Sequence, residues 1–287
     1  MNLASLKSRL KSIAQEKERT FNEIWKQLVL ERFLARLSNS DQQENFIFKG
    51  GLLLAQYLDI GRETTDADFL MTKIKSDTTS IQRAMEIIIG AKVKDGFHFS
   101  WSNIEELSQP HMEYPGFRIT LDANFEQMKD RIKLDIGVGD IVDAVEESFH
   151  PFVYNGKPMF AGEISLMVYP VESIFAEKFE TITSKGPFNG RMKDYHDVLL
   201  MIRENDLLNK KRLKTSLQRV MNHRGTPVRI PLVFDNSGMV AIQKLWGQHL
   251  NGLGLFKDKL DLPSEMEAIL DEINDWLLEN KIFDLKS

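Results

Sequence analysis

Cysteine is missing from all 287 residues, so disulfides and thiolate-bound metals are excluded as sources of stability or chemistry. No apolar run approaches the eighteen or so residues that a membrane helix needs. The start, Met1 to Lys11, carries charges throughout an amphipathic helical pattern and does not read as a signal peptide. Internal repeats and low-complexity tracts are also lacking. An excess of positive charge is missing too: the net charge of −5 argues against a protein coated in basic surface. These absences predict a soluble cytoplasmic protein without a membrane partner.

The charge that is present is unevenly spread. Thr181 to Ile230 holds eleven Lys or Arg against four acids, whereas Asp261 to Ser287 holds eight acids against two lysines. A basic segment of this kind receives RNA or a triphosphate, or simply forms a solvated helical face. A chain this long buries a large core and is expected to split in two. The boundary is expected near the loop Tyr154-Asn155-Gly156-Lys157-Pro158, giving 1–155 as an N-terminal domain and 156–287 as a mainly helical one.

Periodicity organises the first part. Residues 2 to 38 read as helical, with Phe21, Ile24, Trp25, Leu28, Leu30 and Phe33 forming the apolar stripe. Strand and helix then alternate. Ile81 to Ile89 is a helix candidate, and Phe117 to Phe125 alternates as a half-buried strand does.

The most informative stretch is Phe46-Ile47-Phe48, then Lys49-Gly50-Gly51, then a helix from Leu52, then Thr65 leading into Asp66-Ala67-Asp68. Backbone amides at a glycine-rich strand-to-helix turn form a positive nest for phosphate. Two carboxylates two residues apart on an extended segment point the same way and can share a metal ion. In Arg131 to Asp140, alternation puts Ile132, Leu134, Ile136 and Val138 on one face and Lys133 and Asp135 on the other. If this strand lies beside the one bearing Asp66 and Asp68, Asp135 becomes a third carboxylate in a cluster that divalent cations would neutralise.

Further along, Pro170 is placed to begin a helix. Val171, Ile174, Phe175 and Ile182 share one face with Lys178 in its middle, while Glu177 and Glu180 point away. Burying a lysine is costly without an anionic partner, so Lys178 should pair with a carboxylate or reach nucleotide phosphates. The next helix, Arg191 to Ile202, centres its apolar face on Tyr195, Val198, Leu199 and Ile202. Arg191 lies on that face and Asp194 at its border, with Asp197 further round, so Asp194 is the better cleft candidate and the role of Asp197 stays open.

In order and spacing, this set of motifs resembles the AbiEii/AbiGii-type nucleotidyltransferase toxins of bacterial abortive-infection and type IV toxin–antitoxin systems. The resemblance runs from Glu31-Arg32-Phe33-Leu34-Ala35-Arg36-Leu37, through Phe48 to Gly51 and Arg62 to Phe69, to Lys133 through Asp140, Ala176 to Glu180 and Arg191 to Asp197, covering roughly residues 20 to 203. It implies an α+β fold, a polymerase-β-like nucleotidyltransferase core with its mixed sheet flanked by helices and a helical C-terminal region completing the active site. It also implies phosphate binding by Gly50 and Gly51, magnesium binding by Asp66 and Asp68, a triphosphate contact from Lys178 and a need for Asp194 in activity. Lys49, Thr65 and Arg191 join the nucleotide-binding set, and Asp135 is a base or third metal ligand. The expected partners are a nucleoside triphosphate, an RNA acceptor such as tRNA and a cognate antitoxin. The basic stretch with Arg203, Lys210, Lys211, Arg212, Lys214 and Arg219 would receive an RNA backbone. Two departures from the superfamily pattern stand out: Gly50-Gly51 replaces Gly-Ser, which removes a hydroxyl, and Ala67 replaces a bulky aliphatic. A metal-dependent nuclease and a non-catalytic nucleotide- or RNA-binding module are the rival readings.

Overall fold

The computed structural model describes residues 1–107, 116–140, 142–149 and 152–283. They form two compact units, 1–56 with 63–169 and 57–62 with 170–287.

The first unit opens with α1 (Leu3–Glu16) and α2 (Phe21–Ser38). The single helical stretch expected over 2–38 is two helices. Glu18 takes a left-handed φ of 51°, and a Thr20/Glu23 capping box starts the second helix by satisfying its free N–H groups. β1 (Phe46–Lys49), α3 (Gly50–Leu54), β2 (Asp66–Met71) and α4 (Thr78–Ile89) follow, then the long strands β3 (Phe97–Leu107), β4 (Gly116–Phe125) and β5 (Met128–Val138), and β6 (Val145–Phe149). The segment read as a loop at Tyr154 is a small hairpin, β7 (Val153–Tyr154) with β8 (Lys157–Pro158). Asn155 and Gly156 both take positive φ there, as a tight hairpin turn demands.

β9 (Ile164–Val168) interrupts the region expected to be mainly helical, and it belongs to the first unit because it pairs in parallel with β1 and antiparallel with β6. Five residues with alternating burial carry too weak a signal to separate from the helix that follows.

The strands form one mixed sheet in the order β3-β4-β5-β2-β1-β9-β6. One face is apolar. Ala67 and Phe69 of β2, Ile132, Leu134 and Ile136 of β5 and Ile119 and Leu121 of β4 are all buried on it. α2 covers this face, with Phe33 meeting Phe69 and Phe99 edge-on at centroid distances of 6.1 and 6.2 Å. Burying each such ring is worth about 1.5–3 kcal/mol, which fixes the strand register, since a one-residue slip would turn every apolar side chain outward. The polar residues of the same strands are thereby forced onto the opposite face. The mixed sheet flanked by helices is the α+β architecture expected.

The second unit is helical: α5 (Val171–Lys185), α6 (Met192–Arg203), α7 (Lys210–Arg224), α8 (Asn236–Leu253), α9 (Phe256–Lys259) and α10 (Met266–Glu279). α5 packs against both α6 and α7, so it has no solvent face of ordinary width. Glu180, expected to point away from the core, is buried on the α7 side, where it accepts hydrogen bonds from Arg224 Nη1 at 2.7 Å and Thr226 Oγ1 at 2.5 Å. A single-stripe reading of a helix cannot see a second buried side. Among the described residues, no helix is long and apolar enough to cross a membrane.

Candidate active site

The antiparallel pairing of β1 with β2 sets Lys49 opposite Asp68, and the parallel pairing of β2 with β5 sets Asp68 opposite Asp135. β4 then sets Arg118 opposite Asp135, and β3 sets Glu105 opposite Arg118. Cross-strand partners share a face. The polar face of the sheet therefore carries a row Lys49, Asp68, Asp135, Arg118, Glu105, beside a second row Asp66, Lys133, Thr120, Asn103. Asp66 and Asp68 on β2 and Asp135 on β5 thus lie on neighbouring strands, an adjacency that alternation alone left open.

The turn after β1 is shaped for one of them. Gly50 takes φ +78°, and a β-carbon there would lie 2.1 Å from Asp68 Oδ2, so only glycine lets the carboxylate rest on the backbone at this turn. Gly50 and Gly51 begin α3, whose first N–H groups have no intrahelical acceptor. Lys49 directs Nζ to Asp140 Oδ2 at 3.2 Å and to the Tyr169 hydroxyl at 3.3 Å, with the Tyr169 ring 4.5 Å beneath it. Thr65 Oγ1 stands 3.5 Å from Asp66 Oδ1.

Asp135 is engaged. Arg118 donates Nε to Oδ1 and Nη2 to Oδ2, both at 2.7 Å. This two-pronged bond, with the charges of Asp135 and Asp66 beside it, pushes the Arg118 guanidinium further toward its protonated form against the opposing effect of burial. Among the described residues, no three His, Asp or Glu side chains stand grouped as a preformed metal cage. The oxygen donors of Asp66 and Asp68, two residues apart on one face and half-buried, do fit a hard divalent cation, and Asp68 packs directly against the bare Gly50 backbone.

The second unit carries its own charge network. Lys178 is buried on α5 and reaches Asp197 Oδ2 at 2.6 Å and Asp194 Oδ1 at 3.4 Å, so it pairs with carboxylates, one of the two outcomes its position demanded. Asp197 also accepts from Arg62 Nε at 3.0 Å and Nη2 at 2.6 Å. Asp194 accepts from Arg191 Nε at 2.9 Å, and Arg191 is the network's half-exposed end. Both aspartates are fully buried. Burial pushes the Asp197 carboxyl up, but Lys178 and Arg62 overcome this and hold it well below the ordinary carboxylate range.

Sequence reasoning missed Asp197 as the nearer partner of Lys178, and it missed Arg62 as the second cation on that acid. The only available signal was Arg62's place in the motif preceding Asp66. Beside this network, His196 Nδ1 lies 2.9 Å from His249 Nε2.

A family model described as the nucleotidyl transferase AbiEii toxin of type IV toxin–antitoxin systems matches residues 32–277. No curated protein matches. Among solved structures, a proposed nucleotidyltransferase from Helicobacter pylori aligns with TM-score 0.47 and 14% identity over 91% of this chain and 95% of its own. The JHP933 protein of Helicobacter pylori aligns with TM-score 0.46 and 13% identity over 91% and 92%. With residues 32–277, most of its length, matched by the family model, this chain belongs to the AbiEii nucleotidyltransferase toxin family.

Proposed function

We propose that this nucleotidyltransferase toxin is magnesium-dependent and transfers a nucleotide from a nucleoside triphosphate to a hydroxyl of an RNA acceptor such as tRNA. The observation that carries the reading is the pairing of two half-buried carboxylates, Asp66 and Asp68, with a glycine turn that admits no side chain against Asp68.

In the proposed reaction the acceptor oxygen bonds to the α-phosphorus, the bond to the bridging oxygen breaks, and pyrophosphate leaves. Asp66 and Asp68 hold Mg2+, which when bound supplies neutralisation of the charge that grows on the phosphate oxygens. Asp135 takes the proton of the acceptor hydroxyl or gives a third metal oxygen. The amides of Gly50 and Gly51 receive phosphate, with Lys49 and Thr65 beside them in sequence. Within the second unit, Arg191 is the nucleotide-binding candidate, its half-exposed guanidinium directed by Asp194, which pairs in turn with Lys178.

The RNA part of the proposal rests on α7, whose fifteen residues contain no acid and whose Lys210, Lys211 and Arg212 are exposed. Arg203, also expected to serve, is taken up by Glu272 at 2.5 and 2.6 Å. A cytoplasmic setting and a cognate antitoxin complete the reading.

The test is incubation with each labelled triphosphate and total RNA, with and without magnesium. Label should enter RNA from a defined triphosphate, only with the metal, and not with Asp68→Ala. Nucleotide-dependent labelling that survives without any divalent cation would refute the metal assignment.

A further inference from the structure

The sheet-face row sets two like charges side by side, Asp68 and Asp135, at cross-strand positions whose Cβ atoms are typically about 4.5–5.5 Å apart. Neighbouring carboxylates repel unless something offsets them. Arg118, the next residue in the row, grips both oxygens of Asp135.

We propose that Arg118 is the built-in counter-cation of this row, neutralising Asp135 in the metal-free protein and giving it up when a divalent cation binds Asp66 and Asp68. This rests on the metal reading above. A guanidinium held at Asp135 is repelled by a dication brought to the neighbouring Asp68, so the two occupancies oppose each other. Arg118 is 34% and Asp135 27% exposed, so the pair can open without leaving either charge buried and unpaired. Arg118 is therefore a positioning residue that sets metal affinity.

The same two strands supply an internal control. Arg131 bonds Asp122 at 2.8 Å, which is also an arginine–aspartate pair between β5 and β4, but a more exposed one, and Arg131 and Asp122 stand outside the Asp68–Asp135 row. If arginine–aspartate pairs here serve only to hold the sheet, the two should behave alike.

The experiment is calorimetric titration of Mn2+ into the full chain, with melting curves in parallel. R118Q should bind Mn2+ about five- to tenfold more tightly than the natural chain, with R118K between them and R131Q unchanged. R118Q should also melt lower without metal and gain more from Mn2+ than the natural chain does. Unchanged or weaker Mn2+ binding in R118Q overturns the proposal. If D68N then loses Mn2+ binding, the metal reading survives alone, and if D68N binds as the natural chain does, both fall.

Discussion

Gly50 and Lys178 are residues whose side chains, or lack of one, are dictated by what lies against them. A methyl group at residue 50 would collide with the Asp68 carboxylate while the backbone sits at φ +78°, so Gly50→Ala must move the aspartate or the turn. Holding a non-glycine residue in this region costs about 1–3 kcal/mol. The expected outcome is a modest fall in melting temperature with transfer activity near background, seen by pairing a thermal melt with a labelled-triphosphate assay. Full activity in the alanine variant would show that Asp68 does not need its present position.

Lys178 is argued differently, because it is the cation between two fully buried aspartates. Lys178→Met leaves those acids to Arg62 and Arg191 alone, and breaking a buried pair from one side costs about 3–5 kcal/mol. The variant should therefore melt markedly lower. A Lys178→Met protein that melts normally but binds triphosphate weakly would place the lysine's main duty on the nucleotide.

At the scale of elements, β2 and α6 carry the consequences. Both Asp66 and Asp68 project from one face of β2 while Ala67 and Phe69 are buried on the other, so an alanine in place of either acid disturbs chemistry and spares the core. If the two acids hold the metal as proposed, losing either one should lower the transfer rate on the order of a thousandfold or more, with an unchanged circular dichroism spectrum.

α6 predicts a pH effect. Burial pushes the His196 ring down to about 4, helped by His249 and Arg62 and opposed by Asp197. The unfolded chain takes up that proton near the ordinary value of about 6.5, so stability is full above this pH and falls as the medium is acidified toward 4, by on the order of 3 kcal/mol. Asp197 on the same helix adds its own loss only below the ordinary carboxylate range, since its folded carboxyl ionises lower still. Urea melts between pH 7 and 4 should show the slope, and His196→Asn should flatten it; equal slopes in both proteins would remove His196 as the cause.

The legibility of these elements in sequence follows from the range of the forces involved. β1, the glycine turn and β2 were readable because apolar runs, a Gly-Gly and spaced acids are local signals. The pairing of Arg118 with Asp135, or of Asp197 with Arg62, was not, because a register 17 residues long and a contact 135 residues apart leave no mark on local periodicity. β9 failed for the same reason: its identity as a strand comes from its neighbours β1 and β6.

For the whole molecule, membership of a toxin family turns the site chemistry into a phenotype. If transfer is what harms the host, growth arrest must need the carboxylate of Asp68 and not merely the folded chain. Expression of the natural chain alone should stop growth of a bacterial host. Asp68→Ala at equal expression should leave growth normal, since the substitution lies on the polar sheet face and removes no buried apolar contact. R118Q gives a graded case, because it keeps Asp66, Asp68 and Asp135 and alters only the counter-charge beside them. It should remain toxic at ordinary cellular magnesium and, binding metal more tightly, keep its toxicity under magnesium limitation better than the natural chain. Arrest by Asp68→Ala equal to that of the natural chain, with matched protein levels on immunoblot, would assign the harm to binding and leave nucleotide transfer as a separate activity.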